Sequence, residues 1–182
     1  MEQSISKQKI TDQILTDQQL IADQVLNTGR GRILAISISN RKGTPKSNIA
    51  SARLIEDYGI ENDAHAGKWH RQVSFLAIES IQRMRDKGLP KLRPGAFAEN
   101  ITTEFLDLPL LKIGSIVKIG SETELEITQI GKECHAKCAI FYKVGDCVMP
   151  TDGIFGIVKK GGIISNGDEV IINAPCIESG NN

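Results

Sequence analysis

Three cysteines fall within fourteen residues: Cys134, Cys138 and Cys147. The first two sit in Gly131-Lys132-Glu133-Cys134-His135-Ala136-Lys137-Cys138. A thiol works as nucleophile, sulfur carrier or metal ligand only as its thiolate, and neighbouring cations favour that form. Lys132, His135 and Lys137 supply such cations in the immediate sequence. Three readings of the cluster stay open. Cys134 can be a single reactive thiolate. Cys134, His135, Cys138 and Cys147 can form a zinc site. All can be buried as small hydrophobes. The spacing lacks the second CxxC or HxxxH pair of structural zinc sites, and it is not the CxxCH of attached haem. In a reducing cytosol such a cluster, with Cys176 as the fourth thiol, points to metal, catalysis or burial rather than disulfides.

Three other constellations carry chemistry. Between Gln24 and Ile55 there is no Asp or Glu, but there are Arg30, Arg32, Arg41, Lys42, Lys46 and Arg53. Such a stretch suits a phosphate or another small anion. Arg41-Lys42-Gly43 is its sharpest part, because glycine lets a loop close on a ligand. A solvated basic loop is the alternative. Next comes Asp63-Ala64-His65-Ala66-Gly67-Lys68-Trp69-His70-Arg71, with two of the three histidines and the single tryptophan. His65 and His70 can bind a metal or phosphate or move protons. Their five-residue spacing is not a one-face helical pair, and Trp69 reads as a packing anchor. Last is Arg93-Pro94-Gly95-Ala96-Phe97-Ala98-Glu99-Asn100-Ile101, where an acid beside an amide can orient a ligand or tie down a loop.

The elements that must position these residues are mostly strands. Arg32–Ser39 alternates Leu34, Ile36 and Ile38 with small residues, the period of a half-buried strand. Residues 40–46 and 61–70 read as polar loops, and Ala50–Tyr58 as a weaker strand. Val73–Ile78 reads as a buried strand running into a helix with Ile78, Ile81 and Met84 on one side. Gly88 and Pro90 stop that helix. Ser115–Ile119, Glu124–Ile130, Ile154–Lys159 and Val170–Ile172 are further short strands set between glycines. This pattern predicts a mainly β protein with a few helices, closed or nearly closed into a barrel. Residues 1–30 differ. Ile10, Ile14, Ile21 and Val25 share one face at helical spacing, flanked by Leu15 and Leu20. They predict an amphipathic arm that docks on its own domain or on a second subunit. The expected partition is an arm over 1–30, a barrel domain over 31–175 and a tail over 176–182.

Composition narrows the function. Over 182 residues, 22 Lys and Arg balance 22 Asp and Glu, which argues against a general nucleic-acid or membrane-surface binder. Forty per cent hydrophobic residues support a real core. No apolar run reaches the roughly 20 residues of a membrane helix, and the first residues lack the apolar segment of a secretory signal. The expectation is a cytoplasmic protein.

The order of these motifs resembles the MOSC family, named for the C-terminal domain of molybdenum cofactor sulfurases. Arg41-Lys42-Gly43 comes first, then Asp63-Ala64-His65-Ala66-Gly67 leading to Trp69-His70-Arg71-Gln72-Val73. Pro94 to Ile101, Gly131 to His135, Gly145-Asp146-Cys147-Val148-Met149-Pro150, Gly153-Ile154-Phe155 and Gly167-Asp168 follow. The likeness spans about residues 31–173 and is greatest to the small stand-alone bacterial members. It implies a MOSC-like β-barrel that binds molybdenum cofactor or carries sulfur for metal centres. The family's motif cysteine falls on Cys134, as persulfide carrier or molybdenum ligand. Arg41, Lys42 and Arg71 would take the cofactor's phosphate, and His65, His70 and Asn100 would orient its pterin. Glu99, Lys132 and His135 join the same binding set, and Cys138 is a candidate resolving thiol. The family's usual glycine before Glu-Asn is Ala98 here, which matters only where φ is positive. Nothing in the chain resembles the pyridoxal-phosphate desulfurase domain of the large sulfurases. Sulfur would then come from a separate cysteine desulfurase and pass to a molybdoenzyme. Competing readings are a non-catalytic cofactor delivery module, a molybdenum-dependent reductase of N-oxygenated compounds, and a zinc-stapled regulator. Self-association through the arm is a further expectation.

Overall fold

The computed structural model describes residues 29–108, 111–132 and 139–173. The arm expected over 1–30 falls almost wholly outside these residues, as do Cys134, His135, Cys138 and the tail.

Eleven strands and three short helices are present among the described residues. The strands are β1 (Arg30–Ile38), β2 (Ser47–Ile49), β3 (Ser51–Ile55), β4 (Gly59–Ile60), β5 (Val73–Ala77), β6 (Ile101–Glu104), β7 (Ile116–Ile119), β8 (Thr123–Ile130), β9 (Ile154–Lys160), β10 (Gly162–Ser165) and β11 (Glu169–Asn173). The helices are α1 (Ile78–Asp86), α2 (Ala139–Val144) and α3 (Met149–Asp152).

Seven strands form a ring in the order β11-β7-β8-β9-β5-β6-β1. Pairing of Arg30 with Ile171 and Arg32 with Glu169 closes β1 onto β11. Closure satisfies strand edges that would otherwise stay open to other chains. β2 pairs with the end of β1, and β10, β3 and β4 form a separate three-stranded sheet. Neighbours in the ring are antiparallel except β5 and β6, which run parallel with Phe75 opposite Ile101. A parallel pair needs a long crossover. Here α1 and the 87–100 segment provide it.

The burial pattern follows from this closure. In β8, Thr123, Leu125 and Ile127 are buried while Glu124 and Glu126 lie at the surface, as period-two alternation requires. β5 is buried at all five positions. Val73, Phe75 and Ala77 face the main core with Ile33, Ile36, Ile101 and Leu125. Leu76 faces outward, into a second cluster with Ile81 and Met84 of α1, Phe97, Met149 and Phe155. One strand therefore joins both cores, and the residues at its start and end are fixed from both sides.

β1 begins two residues before the predicted strand. Short strands β2, β6 and β10 and helices α2 and α3 were not predicted. β6 follows directly on Glu99-Asn100, so that motif is the entry to a barrel strand. Among the described residues, no helix is long and apolar enough to cross a membrane.

Candidate functional site

At the end of β1 the chain meets the 61–71 loop around one buried ion pair. Lys46 Nζ donates to Asp63 Oδ1 at 2.7 Å, and both side chains are 1% exposed. The Ser39 amide donates to the same oxygen at 2.9 Å. Asp63 Oδ2 accepts from the His65 amide at 3.3 Å and from Asn100 Nδ2 at 3.2 Å. Burial by itself raises the Asp63 pKa, but Lys46 and the other donors overcome it and hold the carboxyl below its ordinary value. Burial pushes the Lys46 ammonium below its ordinary value, opposed by Asp63.

Asn100 is the knot of this frame. Its Nδ2 also donates to Ser37 O at 3.2 Å, and its Oδ1 accepts from Ser74 Oγ at 2.9 Å and Ser74 N at 3.2 Å. One buried amide thus ties β1, β5, the start of β6 and the Asp63 loop together. Glu99 is fully buried and accepts from the amides of Gly95 at 2.5 Å and Phe97 at 3.0 Å and from Thr102 Oγ1 at 3.0 Å. Burial raises its pKa, against those donors. The resemblance places Asn100 and Glu99 at a ligand. In the structure both are buried, and their side-chain donors and acceptors are engaged by protein.

His65 stands at the surface of this frame, its side chain 32% exposed. Its Nδ1 is buried with no hydrogen-bond partner and lies 3.7 Å from Asp63 Oδ2. Burial and the positive charges of Lys46, Lys42 and Lys132 lower the His65 pKa, against the pull of Asp63. The imidazole is therefore neutral near pH 7 and free to donate or accept. Lys42, in the 40–46 loop, and Lys132, two residues past β8, therefore both act electrostatically on this histidine. Arg41 and Lys42 are exposed.

Trp69 anchors the rest of the loop by donating from Nε1 to His65 O at 2.9 Å. Arg71 lies with its guanidinium 4.9 Å from the Trp69 ring centre and 5.9 Å from that of Phe155. Its buried Nε has no hydrogen-bond partner. His70 pairs with Gln129 Oε1 at 3.1 Å, and Gln129 Nε2 donates to Gly131 O at 2.7 Å. His70 thus braces the base of the cysteine loop. Gly131 starts that loop at φ +73, where a Cβ would collide with the Pro150 carbonyl. The Lys132 amide donates to Met149 O at 2.9 Å.

The predicted basic patch is redistributed. Arg30 pairs with Glu169 at 3.0 Å and Arg32 with Glu104 at 2.6 Å, Lys46 is cancelled by Asp63, and Arg53 lies in β3. An acid-free sequence stretch does not stay acid-free once strands pair. Arg41 and Lys42 remain, and Arg41 lines a cavity of about 420 Å³ with Ser39, Asn40 and Thr44. Ser39 Oγ is buried without a partner. Lys46, Ser39, Asp63 and Gln129 were not singled out as site residues. No local pattern distinguishes buried Lys46 from its solvated neighbours, although Asp63 does open the histidine motif. Among the described residues, no group of three or more His, Cys, Asp or Glu is placed to hold a metal.

The described residues thus form a closed β-barrel in which the charges of Lys46, Lys42 and Lys132 act on His65. The sequence profile of the MOSC domain matches residues 62–171, more than half of the chain, and the chain belongs to the MOSC domain family. Its structure is similar to that of the YUAD protein from Bacillus subtilis, with a TM-score of 0.67 at 20% identity over 80% of this chain and 97% of that one. It is also similar to YiiM from Geobacillus stearothermophilus, with a TM-score of 0.61 at 16% identity over 82% of this chain and 78% of that one. YiiM from Escherichia coli gives 0.57 at 16% identity over 79% and 70%. No curated protein sequence matches significantly.

Proposed function

We propose that this chain binds molybdenum cofactor between the 40–46 loop, His65 and Lys132, and carries sulfur on Cys134 for maturation of that cofactor or of a metal–sulfur centre. One observation supports the reading above the others. Among the described residues, Ser39 Oγ, His65 Nδ1 and Arg71 Nε are buried polar atoms with no hydrogen-bond partner, Arg41 shares a cavity with Ser39, and the charges of Lys42 and Lys132 act on His65. Buried polar atoms are normally satisfied, and leaving one bare is unfavourable by about 1–3 kcal/mol. An anionic, hydrogen-bonding ligand answers both features, so the residues present fit a phosphorylated pterin.

In that reading Arg41, Lys42 and Lys132 hold the phosphate, and Ser39, His65 and Arg71 meet the polar edge of the ring system. The bound group supplies molybdenum, a soft centre that accepts thiolate and sulfide. Covalent reach keeps the Cα of Cys134 within about 7 Å of that of Lys132. Lys132, two residues before it in sequence, would favour its thiolate. Sulfur loading is a thiol exchange. The Cys134 thiolate attacks the outer sulfur of a donor persulfide, a new S–S bond forms at Cys134, the donor's S–S bond breaks, and the donor leaves as a thiolate. No net oxidation is needed. The donor class is a cysteine desulfurase and the acceptor class a molybdoenzyme. A reducing cytoplasm suits this chemistry.

The test is intact mass spectrometry with metal analysis on chain purified anaerobically from a molybdenum-replete host. A pterin–molybdenum species, or a gain of one sulfur localised to Cys134, supports the reading. Cys134→Ser is expected to abolish the sulfur gain and leave thermal unfolding unchanged. A variant that handles cofactor and sulfur as the parent does, or stoichiometric zinc with neither, overturns it.

A further inference from the structure

A larger cavity, of about 760 Å³, shares no residue with that site. It lies between α1, the 105–111 segment, the end of β8 and α3. Its walls are mainly apolar, with Leu106, Leu108, Leu111, Ile130 and Ile154 among the lining residues. At its mouth stands Phe105, 66% exposed and with φ +61. A bulky aromatic in the left-handed region is a backbone outlier. Such outliers persist only where the surroundings hold them. Ile130 is also 42% exposed. An open apolar groove with an exposed aromatic marks a surface that something covers.

The path of the chain names the occupant. β1 enters the barrel along the rim of this groove. A Cβ at Gly31 would lie 2.6 Å from Glu104 O and from Leu106 Cβ. Arg32 reaches Glu104 Oε1 at 2.6 Å and holds its guanidinium 5.4 Å from the Phe105 ring centre. Gly31 and Arg32 therefore lie beside Leu106 and Phe105, and Gly29 just before them lies against β11, its carbonyl accepting from the Ile172 amide at 2.7 Å. Residues 10–25 in the preceding stretch carry Ile10, Ile14, Ile21 and Val25 at helical spacing, an apolar stripe that needs a surface to pack on. As a helix they would span about 24 Å. Only residues 26–29 separate Val25 from Arg30, a reach of about 14 Å when extended.

We propose that the apolar stripe of residues 10–25 packs as a helix into this groove of its own chain, against Phe105, Leu108 and Ile130. Branched aliphatic side chains would fill the walls and cover the ring of Phe105, whose amide donates to Glu79 Oε1 at 3.1 Å. The arm is then a part of the fold that braces α1 and the base of the 131–138 loop from behind.

Hydrogen exchange followed by mass spectrometry on the full chain tests this, with a double variant carrying Ile14→Asp and Ile21→Asp. In the parent, amides of residues 10–25 are expected to exchange at least about tenfold more slowly than in the double variant. Amides of 105–108 are expected to exchange faster in the variant, while β8 is unchanged. If β8 also loses protection, Phe105→Asp tests the groove from its other side, and release of residues 10–25 is expected. Exchange of 10–25 at unstructured-chain rates in the parent, or protection of 10–25 surviving Phe105→Asp, overturns the proposal. So does protection that appears only at concentrations where light scattering shows self-association, which assigns the groove to a second copy.

Discussion

Removing the Lys46 ammonium while keeping its shape tests the frame beneath the site. Lys46→Met leaves Asp63 at 1% exposure with three neutral donors and no counter-charge. Breaking a buried pair by deleting one partner costs about 3–5 kcal/mol, because the remaining charge stays desolvated. For a chain of this size that is a fall in melting temperature of about 6–20 °C. Urea unfolding at pH 7 should show the loss as a lower midpoint at constant slope. Combining Lys46→Met with Asp63→Asn removes both charges, so the double variant should be more stable than Lys46→Met alone. The pH dependence is a second reading. In the parent, the Asp63 pKa is depressed, so its contribution is present above the ordinary value of 3.8 and is lost as pH falls through the folded value. The Lys46 pKa is depressed too, so its burial cost is present below the folded value and is relieved as pH rises toward 10.5. In Lys46→Met, burial of unpaired Asp63 raises its pKa, and the variant should regain stability as pH falls toward 5. His65, relieved of one neighbouring cation, should titrate higher by NMR. A Lys46→Met chain within about 1 kcal/mol of the parent, with His65 unmoved, would refute the account of a charged pair at the base of the site.

Ala98 is exposed and sits at φ +63, so Ala98→Gly removes strain without losing packing. Relief of about 1–2 kcal/mol, less the added unfolded-state freedom of glycine, should raise stability by about 0.5–1 kcal/mol, and a lower melting temperature in calorimetry would count against it. Glu99→Gln keeps two of the three bonds to the carboxylate and turns an amide toward the Phe97 N–H, so a loss of about 1–3 kcal/mol at pH 7 is expected from denaturant titration. Because burial raises the Glu99 pKa, its cost is present above the folded value and is relieved as pH falls toward 4.5, above the range where Asp63 is lost. The parent should gain stability in that window and Glu99→Gln should lack the gain.

The barrel was legible where strands alternate or run wholly apolar. β8 shows Leu125 and Ile127 against Glu124 and Glu126, and β5 shows Val73 to Ala77, so period and hydrophobicity agree with burial. β6 was not legible, because Ile101-Thr102-Thr103-Glu104 follows a polar motif and is buried only by what closes over it. β10 was hidden because its Gly162 reads as a turn, although it pairs with Leu54. At the site, His65, Lys42 and Lys132 were legible as residue types, but their meeting around one imidazole is a product of topology. The inward turn of Asn100 and Glu99 was also not legible. An amide or acid next to glycine and proline has the same chemistry whether it faces a ligand or a backbone. The fate of Lys46 depended on an acid seventeen positions away.

These placements divide the work of the site between two sets of residues. Asp63, Lys46 and Asn100 are buried and bonded to one another, and Glu99 is buried and bonded to Gly95, Phe97 and Thr102, so these residues build the frame. Arg41 and Lys42 stand on the 40–46 loop and Lys132 just past β8, and among the described residues none of them forms an ion pair. His65 belongs to both, bonded to the frame through its backbone and open to the cations through its ring. In the proposed reading, attraction of an anion would come from these outer side chains and be screened by salt over about 8 Å at physiological ionic strength. Orientation comes from buried groups that salt reaches far less. A ligand held in this way should lose affinity as salt rises while its contacts to Ser39, His65 and Arg71 persist, because removing charge at the rim leaves the knot at Asn100 in place.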